Sequence, residues 1–158
     1  MGLRIGYGYD VHQLIEGEEF WLGGIQINYH KGGLGHSDAD VLLHVICDAL
    51  LGAANLRDIG YHFPDSDNKF KNVDSKLLLK ESMALVRKKG YNLENIDSTI
   101  CLQKPKIIGL IPTMQSVIAD CLEVEKEQIS IKATTTEKLG FVGEEKGISA
   151  HAVVLISK

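Results

Sequence analysis

Cysteine is scarce in this sequence. Cys47, Cys101 and Cys121 stand far apart with no Cys-x-x-Cys pair, which excludes a disulfide framework and a thiolate zinc site and leaves reduced, mostly buried thiols as the expectation. Long apolar runs are missing, none approaching the roughly 18 residues of a membrane span. The opening MGLRIGYGYD has no basic stretch followed by an apolar one, so no signal segment is expected and a cytoplasmic location is. A basic excess is also missing. Lys and Arg number 17 against 21 Asp and Glu, for a net charge of -4, which argues against a nucleic-acid partner. An anionic ligand would have to be held by metal ions or backbone amides. Repeats, low-complexity tracts and linkers are absent too, and 158 residues at 44% hydrophobic composition fit one domain, 1–158, with one core.

What is present alternates between the periods of strand and helix. Leu3, Ile5, Tyr7 and Tyr9 alternate with Arg4, Gly6 and Gly8, which predicts a strand ending at Asp10 and His12. A second extended stretch, 20–27, is broken by Gly23-Gly24, and the glycine-rich run 31–35 that follows predicts a mobile segment, a lid over 31–37. Ser37-Asp38-Ala39-Asp40 predicts a helix start with Ser37 as N-cap, ahead of an apolar stripe through Leu42, Ile46, Ala49 and Ala53. A second helix is expected over 75–89, with Arg87, Lys88 and Lys89 at its negative end and Gly90 as its stop. Strands are expected over 96–102, 129–133 and 148–156, and a helix begins at Pro112 and reaches about Leu122. The fold class that follows is α+β, a mixed β-sheet covered by helices.

Three constellations can carry chemistry. In Asp10-Val11-His12 an extended backbone points both polar side chains to one side. His44 lies about 200° around its helix from Leu42, off the apolar stripe, and forms an i, i+4, i+8 ridge with Asp40 and Asp48 that can face the end of the first strand. One carboxylate and two imidazoles with a fourth position open is the donor set of a catalytic zinc site; the same residues also suit solvated strand-end and helix positions. Lys132-Ala133-Thr134-Thr135-Thr136-Glu137-Lys138 follows a strand with hydroxyls and amides able to cradle phosphate and a carboxylate able to hold a hard cation, although a Thr-rich strand end has the same composition. The loop 57–67 is rich in Asp, Gly and Pro. Asp58 beside Gly60 can accept ribose hydroxyls there or simply face water.

Together these segments resemble the cyclodiphosphate synthases of the non-mevalonate isoprenoid pathway: GYDVH at 8–12, HSDADV at 36–41, DALLGAA at 48–54, DIG at 58–60, FPDSD at 63–67 and KATTTEKLGF at 132–141. The match runs in order along nearly the whole chain. The resemblance implies a homotrimer with active sites shared between neighbours. It implies zinc on Asp10, His12 and His44, a lid histidine and its neighbour at His36 and Ser37, a ribose contact at Asp58, and substrate contacts at Ile59 and Gly60 beside it. Phe63, Pro64, Asp65, Ser66 and Asp67 would line the pocket for the methylerythritol portion. Leu102, Gln103, Lys104, Pro105, Lys106, Ile107 and Ile108 would enclose cytosine largely through backbone groups. Thr134, Thr135 and Glu137 would contact the diphosphate and a magnesium or manganese ion, Ala133, Thr136 and Phe141 would be further substrate contacts, and His36 and Thr135 would be the catalytic residues.

The implied reaction is that of a phosphorus-oxygen lyase. The 2-phosphate of 4-diphosphocytidyl-2-C-methyl-D-erythritol 2-phosphate attacks the β-phosphorus of the same molecule, giving 2-C-methyl-D-erythritol 2,4-cyclodiphosphate and CMP. A metal-dependent phosphohydrolase and a non-catalytic trimeric zinc or nucleotide module are the competing readings. The chain departs from the family pattern at Glu144, where many members carry an arginine near the trimer axis. Weak or no binding of isoprenoid diphosphates there is the expectation.

Overall fold

The computed structural model describes residues 2–158. Its frame is a five-stranded mixed sheet in the order β4-β1-β7-β5-β6, built from β1 (Leu3–Glu16), β4 (Lys31–Leu34), β5 (Asn92–Cys101), β6 (Ile129–Thr134) and β7 (Gly147–Ser157). The β5–β6 pair is parallel and the remaining pairs are antiparallel. A separate two-stranded hairpin joins β2 (Phe20–Leu22) to β3 (Ile25–Ile27) through Gly23-Gly24. Long helices α1 (Val41–Ala53), α3 (Ser75–Lys88) and α4 (Ile111–Leu122) cover one face of the sheet, and short helices α2 (Ile59–His62) and α5 (Gly140–Gly143) lie in the connections. The expected α+β class, the strands near 96, 129 and 148, and the helices at 75 and 112 are all present, with Gly90 in the left-handed region at φ +85° after the end of α3. Among the described residues no helix is long and apolar enough to cross a membrane.

The core lies between sheet and helices. Ile148, Ala150, Ala152, Val154 and Ile156 of β7 and Ile96 and Ile100 of β5 point inward onto α1, whose Leu42, Leu43, Ile46, Leu50 and Leu51 are fully buried. Because α1 has the sheet on one side and α3 on the other, it is buried nearly all round rather than along one stripe; only His44, Asp48 and Gly52 break its burial. Cys47 and Cys121 are buried and all three thiols are free; burial pushes the Cys47 thiol up to about 12.

Several expectations are corrected. The first strand does not end at Asp10 and His12 but continues to Glu16, because its second half pairs with both β7 and β4. Residues 31–34 form that edge strand β4 instead of a free lid: a Cβ on Gly32 would lie 2.0 Å from the Glu19 carbonyl, so close backbone contact is what requires glycine there. The segment left to act as a lid shrinks to residues 35–39. The N-cap of α1 is Asp40, not Ser37. Its fully buried carboxylate accepts from Leu43 N (3.1 Å), Gly23 N (3.0 Å) and Gly24 N (2.7 Å), so it fastens the hairpin to the helix and does not share a functional ridge with His44. Replacing Asp40 by Ala strands three backbone donors, and urea unfolding should show a loss of about 3 kcal/mol or more; a loss below about 1 kcal/mol would show that water replaces the carboxylate there.

The outer face of β1 is unusual for a protein surface. Leu3, Ile5, Tyr7, Tyr9 and Val11 are 58, 72, 59, 49 and 38% exposed, and Val153 beside them on β7 is 42% exposed. The apolar half of the first strand's alternation thus faces outward, and the glycine half faces the core.

Candidate metal centre and pocket

Gly6 and Gly8 set the geometry. A Cβ on Gly8 would lie 2.0 Å from the Val45 carbonyl oxygen, and one on Gly6 would lie 1.8 Å from that of Ala49. With no side chains in between, α1 rests directly on the β1 backbone. The next residues on that face of the strand are Asp10 and His12, and the residue before Val45 is His44, so the contact that needs glycine also delivers all three groups to one place. Asp10 Oδ2 lies 3.1 Å from His12 Nε2 and 3.2 Å from His44 Nδ1, and the two nitrogens are 3.1 Å apart. The predicted trio therefore converges, and among the described residues it is a group able to hold a metal ion.

The triangle fits zinc on two counts. Four ligands at ~2.0–2.1 Å around a tetrahedral ion stand about 3.3–3.4 Å apart, close to the three distances observed. The outer nitrogens are also occupied: His12 Nδ1 donates to the Leu34 carbonyl at 3.3 Å, and His44 Nε2 has the hydroxyls of Ser75 and Ser37 at 3.0 and 3.1 Å. With the ring protons used there, the inner nitrogens present lone pairs toward each other and toward a carboxylate, an arrangement that a cation stabilises. Burial raises the Asp10 carboxyl, but the adjoining His12 and His44 rings outweigh this and hold the group well below the usual carboxylate range. Burial lowers His12, and the neighbouring Asp10 carboxylate more than offsets this, leaving it raised.

Beside the triangle opens a cavity of about 510 Å³ lined by Asp10, His12, Gly35, His36, Ser37, His44, Ile59, Gly60, Phe63, Pro64, Asp65, Phe70, Val73 and Leu78. The Nε2 atom of His36 is buried there without a partner among the described residues. Asp48 accepts from Ile59 N at 2.7 Å and so anchors the loop that carries Gly60. Asp58 sits exposed at the N-cap of α2 without capping it, its carboxylate beside Gly60. Ser66 and Asp67 do not line the cavity; Asp67 caps the turn of Asn68–Phe70 by accepting from Lys69 N. Phe70, Val73 and Leu78 line it without having been singled out in the sequence, where they read as ordinary apolar residues.

The remaining predicted residues form a second cluster. Leu102 N donates to the Thr134 carbonyl at 2.9 Å and Lys138 N to Gln103 Oε1 at 3.3 Å, which ties 102–108 to the Thr-rich turn. Leu102 and Ile107 are buried, so their side chains face the core and offer a ligand only backbone, whereas Lys104, Lys106 and Ile108 are exposed with Pro105 between them. Ala133, Thr134, Thr135 and Glu137 are exposed and Thr136 is half-buried. The Glu137 carboxylate forms no ion pair among the described residues; one free carboxylate suits magnesium, which usually keeps waters and substrate phosphates as its other ligands. Phe141 and Thr136 border a depression with Tyr7, Tyr9 and His151 on the outer face of the sheet. The Lys146 ammonium pairs with the Glu144 carboxylate at 2.5 Å, both side chains being exposed.

One chain does not join the two clusters. Val11, Ser149, Cys101 and Thr134 are register partners in one row across the sheet, which puts the Thr134 strand three spacings, ~14 Å, from the strand of the metal triangle.

Comparison with known proteins adds the family. The YgbB family model matches residues 3–157. A 2-C-methyl-D-erythritol 2,4-cyclodiphosphate synthase of Bacteroides thetaiotaomicron is 62% identical over 158 residues, covering 100% of this chain and 99% of its own. Among solved structures, the bifunctional IspDF of Campylobacter jejuni superposes with a TM-score of 0.94 at 44% identity, over 98% of this chain and 42% of that one. The IspF of Plasmodium falciparum in a CDP complex does so with 0.86 at 37% identity, over 98% and 96%.

Proposed function

The chain belongs to the YgbB family, and on that footing we propose that it converts 4-diphosphocytidyl-2-C-methyl-D-erythritol 2-phosphate into 2-C-methyl-D-erythritol 2,4-cyclodiphosphate and CMP, as a homotrimer. The single observation that carries this reading is the Asp10, His12 and His44 triangle opening into a cavity with His36 and Ser37 on its rim, in a chain whose relatives carry that enzyme's name.

The residues divide the work. Asp10, His12 and His44 would hold zinc, which would supply Lewis acidity toward the substrate's phosphate groups. Glu137 would hold magnesium or manganese, which would neutralise charge on the diphosphate. The attacking 2-phosphate has a second pKa near 6 and arrives largely dianionic at neutral pH, so no side chain has to act as base. The protein's task is instead to bend the substrate into an in-line geometry and to balance charge on the transferring group. His36 and Thr135 donate hydrogen bonds to phosphate oxygens, and the unpartnered Nε2 of His36 suits that role. Asp58 accepts from the ribose, 63–67 border the methylerythritol portion, and the backbone of 102–108 surrounds cytosine. Water has to be kept from the transferring phosphorus, since its attack would turn cyclisation into hydrolysis.

The trimer reading is supported by the ~14 Å between the two clusters and by the exposed apolar face of β1. A neighbour that covers the apolar face can bring its Thr-rich turn to this chain's metal pocket. The test is mixed assembly of Asp10→Ala and Thr135→Ala chains, each inactive alone. Three-quarters of randomly assembled trimers are mixed, and each holds one intact site of three, so about a quarter of wild-type CMP release should return. No recovery would place the whole site in one chain. The product mass separates the cyclase from a phosphohydrolase, and absence of any CMP from the wild type would leave a binding module.

A further inference from the structure

Beside His44 Nε2 stand two residues to which the reaction as set out above assigns no role, Ser75 and Asp38. Ser75, the first residue of α3, is fully buried, and its Oγ is 3.0 Å from His44 Nε2 and 2.5 Å from Asp38 Oδ1. The Asp38 carboxylate accepts two further bonds, Oδ1 from Asp40 N at 3.1 Å and Oδ2 from Ser75 N at 2.9 Å. A carboxylate only accepts, so the Ser75 hydroxyl proton is committed to Asp38, and the Ser75 oxygen is left to accept from His44 Nε2. The line of donation runs from His44 through Ser75 to Asp38. It fixes the imidazole with its proton on Nε2 and its lone pair on Nδ1, toward Asp10 and His12.

Ser37 competes for the same ring proton at 3.1 Å, but its situation differs. It sits on the cavity rim, and its oxygen already accepts from Ala39 N at 3.3 Å. No acceptor holds its own proton among the described residues, so that proton is free for a ligand entering the cavity.

We infer that Ser75 and Asp38 are the positioning residues of the metal centre, setting the tautomer and direction of His44, while Ser37 is free to turn to substrate. The inference rests on the zinc reading of the triangle. It also gives residues 35–39 a mechanical link to the metal: Asp38 belongs to that segment and holds the start of α3, so displacement of the segment slackens the support of His44.

The experiment measures zinc affinity by competition with a chromogenic chelator on the full-length protein, with circular dichroism as a check of folding. Ser75→Ala should bind zinc about 10- to 100-fold more weakly than wild type, the usual cost of removing an outer partner of a metal-bound histidine. Asp38→Asn, which places an amide donor against one of the three donors it now accepts from, should shift affinity the same way even if Ser75→Ala fails to fold. The double variant should be scarcely worse than the weaker single, because both act through one line. Ser37→Ala should keep zinc affinity within about threefold of wild type and raise KM instead. Wild-type affinity in Ser75→Ala, or equal weakening in Ser37→Ala, overturns the inference. A wild-type protein that takes up no zinc defeats the metal reading itself, which is a distinct result.

Discussion

Replacement of Asp10 by alanine should abolish zinc binding and lower CMP release about a thousandfold while the chain stays folded. The carboxylate is the only anionic member of the triangle and touches both imidazoles. Without it, two neutral rings remain to hold a doubly charged ion, and the site drops from three protein ligands to two. Lewis-acid stabilisation of a transferring phosphoryl group is worth several kcal/mol, and about 4 kcal/mol corresponds to that thousandfold loss. Folding should survive, because Asp10 is partly exposed at the cavity and caps no helix. Metal analysis and a CMP assay on one preparation decide the matter. Full zinc occupancy in the variant would remove Asp10 from the ligand set, and full activity without zinc would remove zinc from the reaction.

The second large effect is expected from a residue with no side chain. Gly8→Ala places a methyl group 2.0 Å from the Val45 oxygen, 2.9 Å from its carbonyl carbon and 3.1 Å from its Cα. All three are helix backbone, so no rotamer relieves the clash and α1 must lift from β1. Overpacking of this kind costs about 3 kcal/mol or more, which lowers Tm by roughly 10 °C in a chain of this size. His44 precedes Val45, so the lift also widens the triangle, and zinc affinity should fall along with stability. Gly52→Ala serves as the control, since nothing lies within 4 Å of its added methyl and a helical Gly-to-Ala change is neutral or mildly stabilising. Equal melting temperatures for Gly8→Ala and wild type would show that the helix does not rest on the strand in solution.

The sequence made the regular elements legible where period and punctuation agreed. Pro112 near the start of α4 and Gly90 after α3 marked boundaries within one or two residues. It misled where one residue type serves two purposes. Gly32 and Gly33 read as slack and instead permit close packing, since composition alone does not distinguish a flexible glycine from a crowded one. Ser37 read as the N-cap because three capping residues, Ser37, Asp38 and Asp40, crowd the helix start, and only the approach of the hairpin amides selects Asp40. The metal trio was visible because strand alternation and helix angle each gave a direction. The support of His44 by Ser75 and Asp38 was not: that contact joins residues 31 and 37 positions apart through the packing of α1 against α3, for which no periodicity gives a signal.

The place of β7 in the sheet bears on how the chain reaches this structure. It is the last strand in sequence and the middle one in space, with β1 on one side and β5 on the other. Until residues 147–157 are available, β1 and β5 have no shared neighbour, and the Gly6 and Gly8 stretch has no partner to flatten it against α1. Leu3 pairs with Ser157, a closure across nearly the whole chain, so loop entropy is spent before most of the sheet forms. A chain emerging from the ribosome would pass through synthesis with two unpaired strand edges and an outward apolar stripe, the combination that invites aggregation. Early protection of these segments by a chaperone, followed by late and cooperative sheet closure, is the folding history this topology favours.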